Sequence, residues 1–270
     1  MAEFYHRRLE SDSAELPLPL RIAENDTVLS WWMALDMYRQ IRDDLDAGRS
    51  SVFIVPVGPV YQYRHFITLV EQLPLDLSGL RLFFMDEYLD EADRLVPEDH
   101  PLSFRGFIRR ELVDPLGGRF GFSVDAVRFP DASDPAAYDA ELAGLGGPGV
   151  CYAGVGINGH LAFNEAPCAA DAPSRLVDLT AETVTTNAHT ALGGAYDALP
   201  RRAVTVGMKS ILSAGRLSIW MNRPWQKAVV RKLLFGPVGP EFPASFARRH
   251  PAAQLAVTAD VAEPPQFALR

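Results

Sequence analysis

Hydrophobic residues along the chain follow two alternating patterns. The first is a series of short, nearly continuous apolar runs: "SVFIVPVG" (51–58), "LRLFFMDEY" (80–88), "GVCYAGVG" (149–156), "RAVTVGM" (202–208), "RLSIWMN" (216–222) and "QLAVTAD" (254–260). The second is apolar residues at helical spacing. In "NDTVLSWWMALDMYRQIRDDLDAG", Val28, Trp31, Leu35, Tyr38, Ile41 and Leu45 share a face; Asp26 or Thr27 can cap the start and Gly48 can end it. Helices are also expected over "YRHFITLVEQL", "HPLSFRGFIRRELVDPL" (stopping near Pro115), "DPAAYDAELAGLGG" and "WQKAVVRKLLFG". Strands apolar on both sides and separated by helices imply a parallel sheet covered on both faces. With no internal repeat, low-complexity tract or linker, the expected fold is a single α/β domain over 1–270. Its core is a doubly wound, mostly parallel sheet with helices on both faces. Residues from about 174 to 199 are polar and weakly periodic, a candidate mobile lid.

Composition narrows the function classes. At 270 residues and 48% hydrophobic, the chain can fill a core without disulfide or structural metal. A net charge of −8 argues against nucleic acid or an anionic membrane as partner, yet leaves room for an anionic small molecule in one basic pocket. Cys151 and Cys168 make no disulfide framework or zinc motif. The first twenty residues lack the apolar core of a signal peptide, and no run approaches the roughly 18 apolar residues of a membrane span. A soluble cytoplasmic protein is expected.

Doubly wound sheets bind ligands beyond the carboxyl ends of their strands, so the residues that follow each strand matter most. Gly58 follows the first run, Asp86-Glu87-Tyr88 the second, and "GVGINGHLAFNEAP" (154–167) the third. Gly154, Gly156 and Gly159 spell the dinucleotide fingerprint, but they run into His160 instead of opening a helix and lie in mid-chain; this is a weak match. His160 and Glu165 form a candidate acid/base couple, the carboxylate orienting the ring and stabilising its cation. The alternative is a loop histidine satisfied by backbone carbonyls; Asn158, Asn164 and the glycines around it favour the couple. Asp86, directly after an apolar strand, is either a proton shuttle tuned by burial or an ordinary helix cap.

Together these segments resemble the glucosamine-6-phosphate deaminase (isomerase) family, whose wider group includes the 6-phosphogluconolactonases. The carriers, in family order, are "PVGPVY" at 56–61, "MDEY" at 85–88, "HPLSF" at 100–104 and "GVGINGHLAFNEAP" at 154–167, with "VTVGM" and "PASFARRHP" further on. The resemblance spans nearly the whole chain. It implies an aldose–ketose isomerisation coupled to loss of the C2 amine as ammonia, on a small-molecule sugar phosphate, without cofactor or metal. His160 would open the sugar ring, Glu165 would hold and tune His160, Asp86 would carry a proton between C2 and C1, and Asn158 would orient the site.

For the phosphate, the resemblance points to the Gly58–Pro59 loop and to Lys227, with His189 falling where relatives place an arginine. Here the chain departs from the family pattern. Val57, Pro59 and Val60 occupy the usual hydroxyl positions, and valine offers no hydroxyl and proline no N–H. Arg64, Arg175, Arg201 and Arg202 are the candidate substitutes. A homo-oligomer is a further candidate, since relatives range from monomers to hexamers. Two other functions stay open: a sugar-phosphate isomerase or lactonase on the same fold, and a non-catalytic sugar-binding regulator.

Overall fold

The computed structural model describes residues 2–11, 13–58 and 61–268. They form ten strands: β1 (Leu20–Ala23), β2 (Ser51–Val55), β3 (Leu80–Phe84), β4 (Asp86–Leu89), β5 (Val127–Arg128), β6 (Val150–Ala153), β7 (Arg175–Asp178), β8 (Arg202–Thr205), β9 (Arg216–Met221) and β10 (Ala253–Thr258). The helices are α1 (Asp26–Asp46), α2 (Gln62–Gln72), α3 (Phe104–Ile108), α4 (Asp114–Leu116), α5 (Pro135–Gly144), α6 (Ala181–Leu192), α7 (Met208–Leu212), α8 (Gln226–Phe235) and α9 (Ala259–Ala262). A π-helical turn over Arg109–Val113 joins α3 to α4.

Seven strands make one sheet in the order β1-β10-β9-β6-β2-β3-β5, every neighbouring pair parallel. Its central strands are mostly apolar because both faces are covered, and successive side chains point to opposite faces. Val52 and Ile54 of β2 pack into one core, with Cys151 of β6 and Val229, Val230 and Leu233 of α8. Phe53 and Val55 enter the other, with Tyr152 of β6 and Met33, Met37 and Phe66 from α1 and α2. The doubly wound α/β fold expected from the sequence is therefore present. From β2 the chain winds outward through β3 to β5. It then returns to β6 on the other side of β2 and winds the opposite way through β9 and β10. The loops leaving β2 and β6 consequently diverge, which opens a crevice at this switch point.

Two expectations need correction. "RAVTVGM" lies outside the parallel sheet: β8 sits between β4 and β7 in a small antiparallel sheet, pairing Asp86 and Arg175 with Thr205. An apolar run reads the same whether it is buried in a parallel sheet or between a short sheet and a helix. The cap of α1 is Asn25, whose side chain accepts from the Val28 N–H at 3.1 Å, not Asp26 or Thr27. The helix expected to stop near Pro115 does so: α4 ends at Leu116, and Gly117 follows with a left-handed φ of 50°. The polar segment 174–199 carries β7 and α6. Val184 of α6 packs with Tyr88, Phe163 and Leu199 in a third apolar cluster. Among the described residues, no helix is long and apolar enough to cross a membrane.

Candidate active site

A cavity of about 420 Å³ opens at the switch point, lined by the loops after β2, β3, β6 and β9 and by one face of α6. Asp86, His160, Gly58 and Gly156 lie on its wall. Beyond the carboxyl end of β3 the chain continues straight into β4, and Val206 N–H bonds the Met85 carbonyl at 2.7 Å. This ladder fixes the backbone of Asp86 at the cavity floor. The residue is 9% exposed, and its carboxyl has no hydrogen-bond partner among the described residues. Burial, with the Glu87 charge beside it, pushes it up from the ordinary 3.8 to about 8.

Glu87, next in sequence, does something else. Fully buried, it accepts from Ser103 Oγ (3.0 Å), Phe104 N–H (3.0 Å) and Arg105 N–H (2.8 Å). It thus satisfies the free N–H groups at the start of α3. Of the two adjacent carboxylates in "MDEY", one is consumed by structure and the other faces the cavity unpaired.

The loop after β6 holds the histidine by local chemistry. His160 Nδ1 lies 2.8 Å from Asn158 Oδ1 and 3.3 Å from both Glu165 Oε2 and Thr183 Oγ1. The Asn158 amide Nδ2 donates to Glu165 Oε2 and, at 3.0 Å, to Thr180 Oγ1, which fixes the amide's orientation. Nδ1 therefore faces two acceptors and carries the ring proton, leaving Nε2 as the acceptor; Nε2 has no partner among the described residues. Only glycine fits opposite: a Cβ on Gly156 would come within 1.9 Å of Nε2. Gly159, at φ +89°, would likewise drive a Cβ into the Phe242 ring, 2.3 Å away. These glycines serve a tight loop packed against a histidine, not a dinucleotide.

Glu165 sits at the start of α6, where Thr180 caps the helix and donates to Glu165 Oε2 at 3.2 Å. Burial alone would raise its carboxyl. Hydrogen bonding and charge from His160, with hydrogen bonds from Asn158 and Thr183, outweigh that and hold it at about 2. Asn164 ties the loop down, donating to the Leu161 and Val206 carbonyls at 2.9 and 2.8 Å.

The residues expected to hold phosphate scatter. Gly58 lines the cavity, as does Val57. Pro59 lies outside the described residues. Lys227 is absent from the cavity wall; its Nζ bonds Asp260 Oδ1 at 2.7 Å on α9. His189 is exposed on α6 and also off the wall, where the helix instead presents Asn187, Thr190 and Ala191. A count without gaps slips easily along a helix, and two residues turn a side chain to another face. Nor do the four candidate arginines reach the cavity: Arg64 pairs with Glu111, Arg175 with Asn164, Arg201 with the Tyr196 carbonyl, and Arg202 with Asp93 and Asp178. Arg223, which the sequence reading passed over, does line it, next to Asn222, Trp220 and Trp225. Its signal was available, since it follows the apolar run of β9 as Gly58 follows β2.

No family model matches the chain. Among curated proteins it is 32% identical over 200 residues to a glucosamine-6-phosphate deaminase of Rhodopirellula baltica, covering 72% of this chain and 75% of that one. A glucosamine-6-phosphate deaminase of Streptomyces avermitilis is 32% identical over 206 residues, 74% of this chain and 75% of the relative. Among solved structures, a monomeric glucosamine-6-phosphate deaminase superposes with a TM-score of 0.79 at 23% identity over 90% of this chain and 98% of its own. The 6-phosphogluconolactonase of Trypanosoma cruzi gives 0.68 at 16% identity, over 95% and 97%. At these identities the structural matches speak to the fold.

Proposed function

We propose, for a chain that belongs to the glucosamine-6-phosphate deaminase family, that the cavity isomerises and deaminates a 2-amino-2-deoxyhexose 6-phosphate, releasing the ketose phosphate and ammonia. The observation that carries this reading is the pair of proton-handling groups on one cavity wall. Asp86 is a carboxyl with no partner and a pKa near neutrality; His160 presents a free Nε2 backed by a fixed carboxylate.

Ring opening needs a proton moved from the C1 hydroxyl to the ring oxygen, which suits an imidazole whose cation is stabilised by Glu165. Asn158 holds both partners and cannot titrate, so its part is orientation. Isomerisation then needs one group to take the C2 proton and deliver it to C1. A carboxyl near pH 8 is basic enough to accept and acidic enough to return it. Addition of water at C2 of the resulting imine expels ammonia. The test is ammonia release from glucosamine 6-phosphate and from other phosphorylated and free 2-amino sugars, with 6-phosphogluconolactone hydrolysis run beside it. Turnover of an amino-sugar phosphate without lactone hydrolysis is expected. Hydrolysis of the lactone alone, or no turnover by folded protein, would overturn the assignment.

A further inference from the structure

Val57, Pro59 and Val60 bring no side-chain hydroxyl to the loop after β2, whereas the loop after β9 brings a guanidinium to the cavity wall. Arg223 is the one arginine or lysine among the described residues on the cavity wall, and its side chain makes no hydrogen bond or ion pair with any of them. Its backbone is fixed: Gln226 Oε1 accepts from Arg223 N–H at 2.8 Å, and Gln226 Nε2 donates to the Val155 carbonyl at 2.7 Å. The β9–α8 loop is thereby stapled to the loop that carries His160. On either side of Arg223 stand Trp220, 3% exposed, and Trp225. The indole N–H of each is buried without an acceptor among the described residues. In the loop after β2, the described residues on the cavity wall, Val57 and Gly58, bring no side-chain donor.

We infer that Arg223 is the anion-binding and specificity-determining residue of this cavity, holding the phosphate of the substrate in the place the family resemblance gives to Lys227. The guanidinium offers five donors in a planar fork suited to phosphate oxygens, whereas Lys227 is already engaged by Asp260. This inference rests on the proposed reaction for its substrate, but the binding itself does not depend on turnover.

Calorimetric titration of inorganic phosphate and of glucosamine 6-phosphate into wild type, Arg223→Ala, Arg223→Lys and Lys227→Ala tests it. Arg223→Ala is expected to weaken both ligands about 10- to 100-fold. Arg223→Lys, a point charge without the fork, falls between wild type and Arg223→Ala. The same Arg223→Ala protein raises KM for the sugar phosphate by that factor while kcat changes less. An unpaired, half-buried side chain can be removed without harm to folding, which an unchanged thermal melt confirms. Three results overturn the inference: Arg223→Ala binding within about twofold of wild type, Lys227→Ala weakening the ligands more than Arg223→Ala does, or wild type binding neither ligand at millimolar concentration. Failure of the reaction reads differently. Wild type that binds phosphate through Arg223 but releases no ammonia sinks the deaminase assignment and leaves the anion site standing.

Discussion

On the side of the cavity formed by the loops after β3 and β6, His160, Asn158, Glu165 and Thr180 close a hydrogen-bonded network around one ring nitrogen. On the side formed by the β9–α8 loop, the Arg223 guanidinium stands without a partner among the described residues. The first side fixes one ring nitrogen and leaves Nε2 and the Asp86 carboxyl free; the second leaves its one cation unpaired. The difference fits the roles proposed for each. Moving protons requires groups whose pKa values are set by their neighbours, so the neighbours come as a set and within one short loop. Holding an anion requires only positive charge and N–H groups, which any strand end facing the crevice can provide. One side of such a site is therefore constrained in sequence, and the other is free to be rebuilt.

The largest effect that would sharpen this contrast lies at Asp86. Asp86→Asn is isosteric and keeps the fold but cannot exchange a proton, so kcat is expected to fall by at least about 10³-fold, with phosphate binding at Arg223 intact. A fall below about tenfold would take Asp86 out of proton transfer and dissolve the division of the cavity. The same variant has a signature in stability. Below about pH 4 the Asp86 carboxyl is protonated in folded and unfolded chain alike. Between its ordinary 3.8 and the folded value of about 8, the unfolded chain ionises first, so wild-type stability drops as pH rises through that window. Asp86→Asn escapes the penalty. Its melting temperature should exceed that of wild type by a margin that opens above pH 4 and is full beyond pH 8.

Next in size is the histidine network. Gly156→Ala places a methyl where His160 Nε2 now lies, and Glu165→Gln removes the charge that stabilises the imidazolium. Each is expected to lower kcat by roughly 10²-fold, with KM for the sugar phosphate within a few-fold of wild type. A change confined to KM would instead assign this loop to binding, and the two walls would no longer differ in kind. Glu165, held at about 2, stabilises the fold above its ordinary 4.5 and loses that contribution only as pH falls toward 2. Glu165→Gln should accordingly melt lower than wild type at neutral pH, and the gap should close in acid.

How far the sequence could be read divides along the same line. The parallel sheet was legible because β2, β3 and β6 are buried on both faces and apolar but for Ser51 and Arg81 near the strand starts. β8 has equally apolar neighbours, yet it pairs antiparallel with β4, because pairing direction depends on where the chain returns from and not on side chains. In the site, His160, Asn158 and Glu165 were legible since a single loop brings them together. Asp86 and Glu87 were visible as a pair, but only the coordinates separate the free carboxyl from the one that caps α3. Arg223 carries no motif. Lys227 matches one and bonds to Asp260, a residue 33 positions away whose presence no local pattern reveals.

The smallest expected effect tests whether the rebuilt wall has fully replaced the glycine loop. Val57→Thr keeps the shape of the side chain and returns a hydroxyl to the cavity wall. A neutral hydrogen bond is worth about 0.5–1.5 kcal/mol net, less the cost of desolvating the new hydroxyl. If Arg223 already takes the phosphate oxygens, KM for the sugar phosphate should improve by no more than about threefold. The double variant with Arg223→Ala then decides whether the two walls reach the same group. Should both touch one phosphate, the hydroxyl is worth more once the guanidinium is gone, and the two changes are not additive. Additive effects would place the anion against Arg223 alone, and a gain beyond about tenfold in the single variant would return the phosphate to the glycine loop.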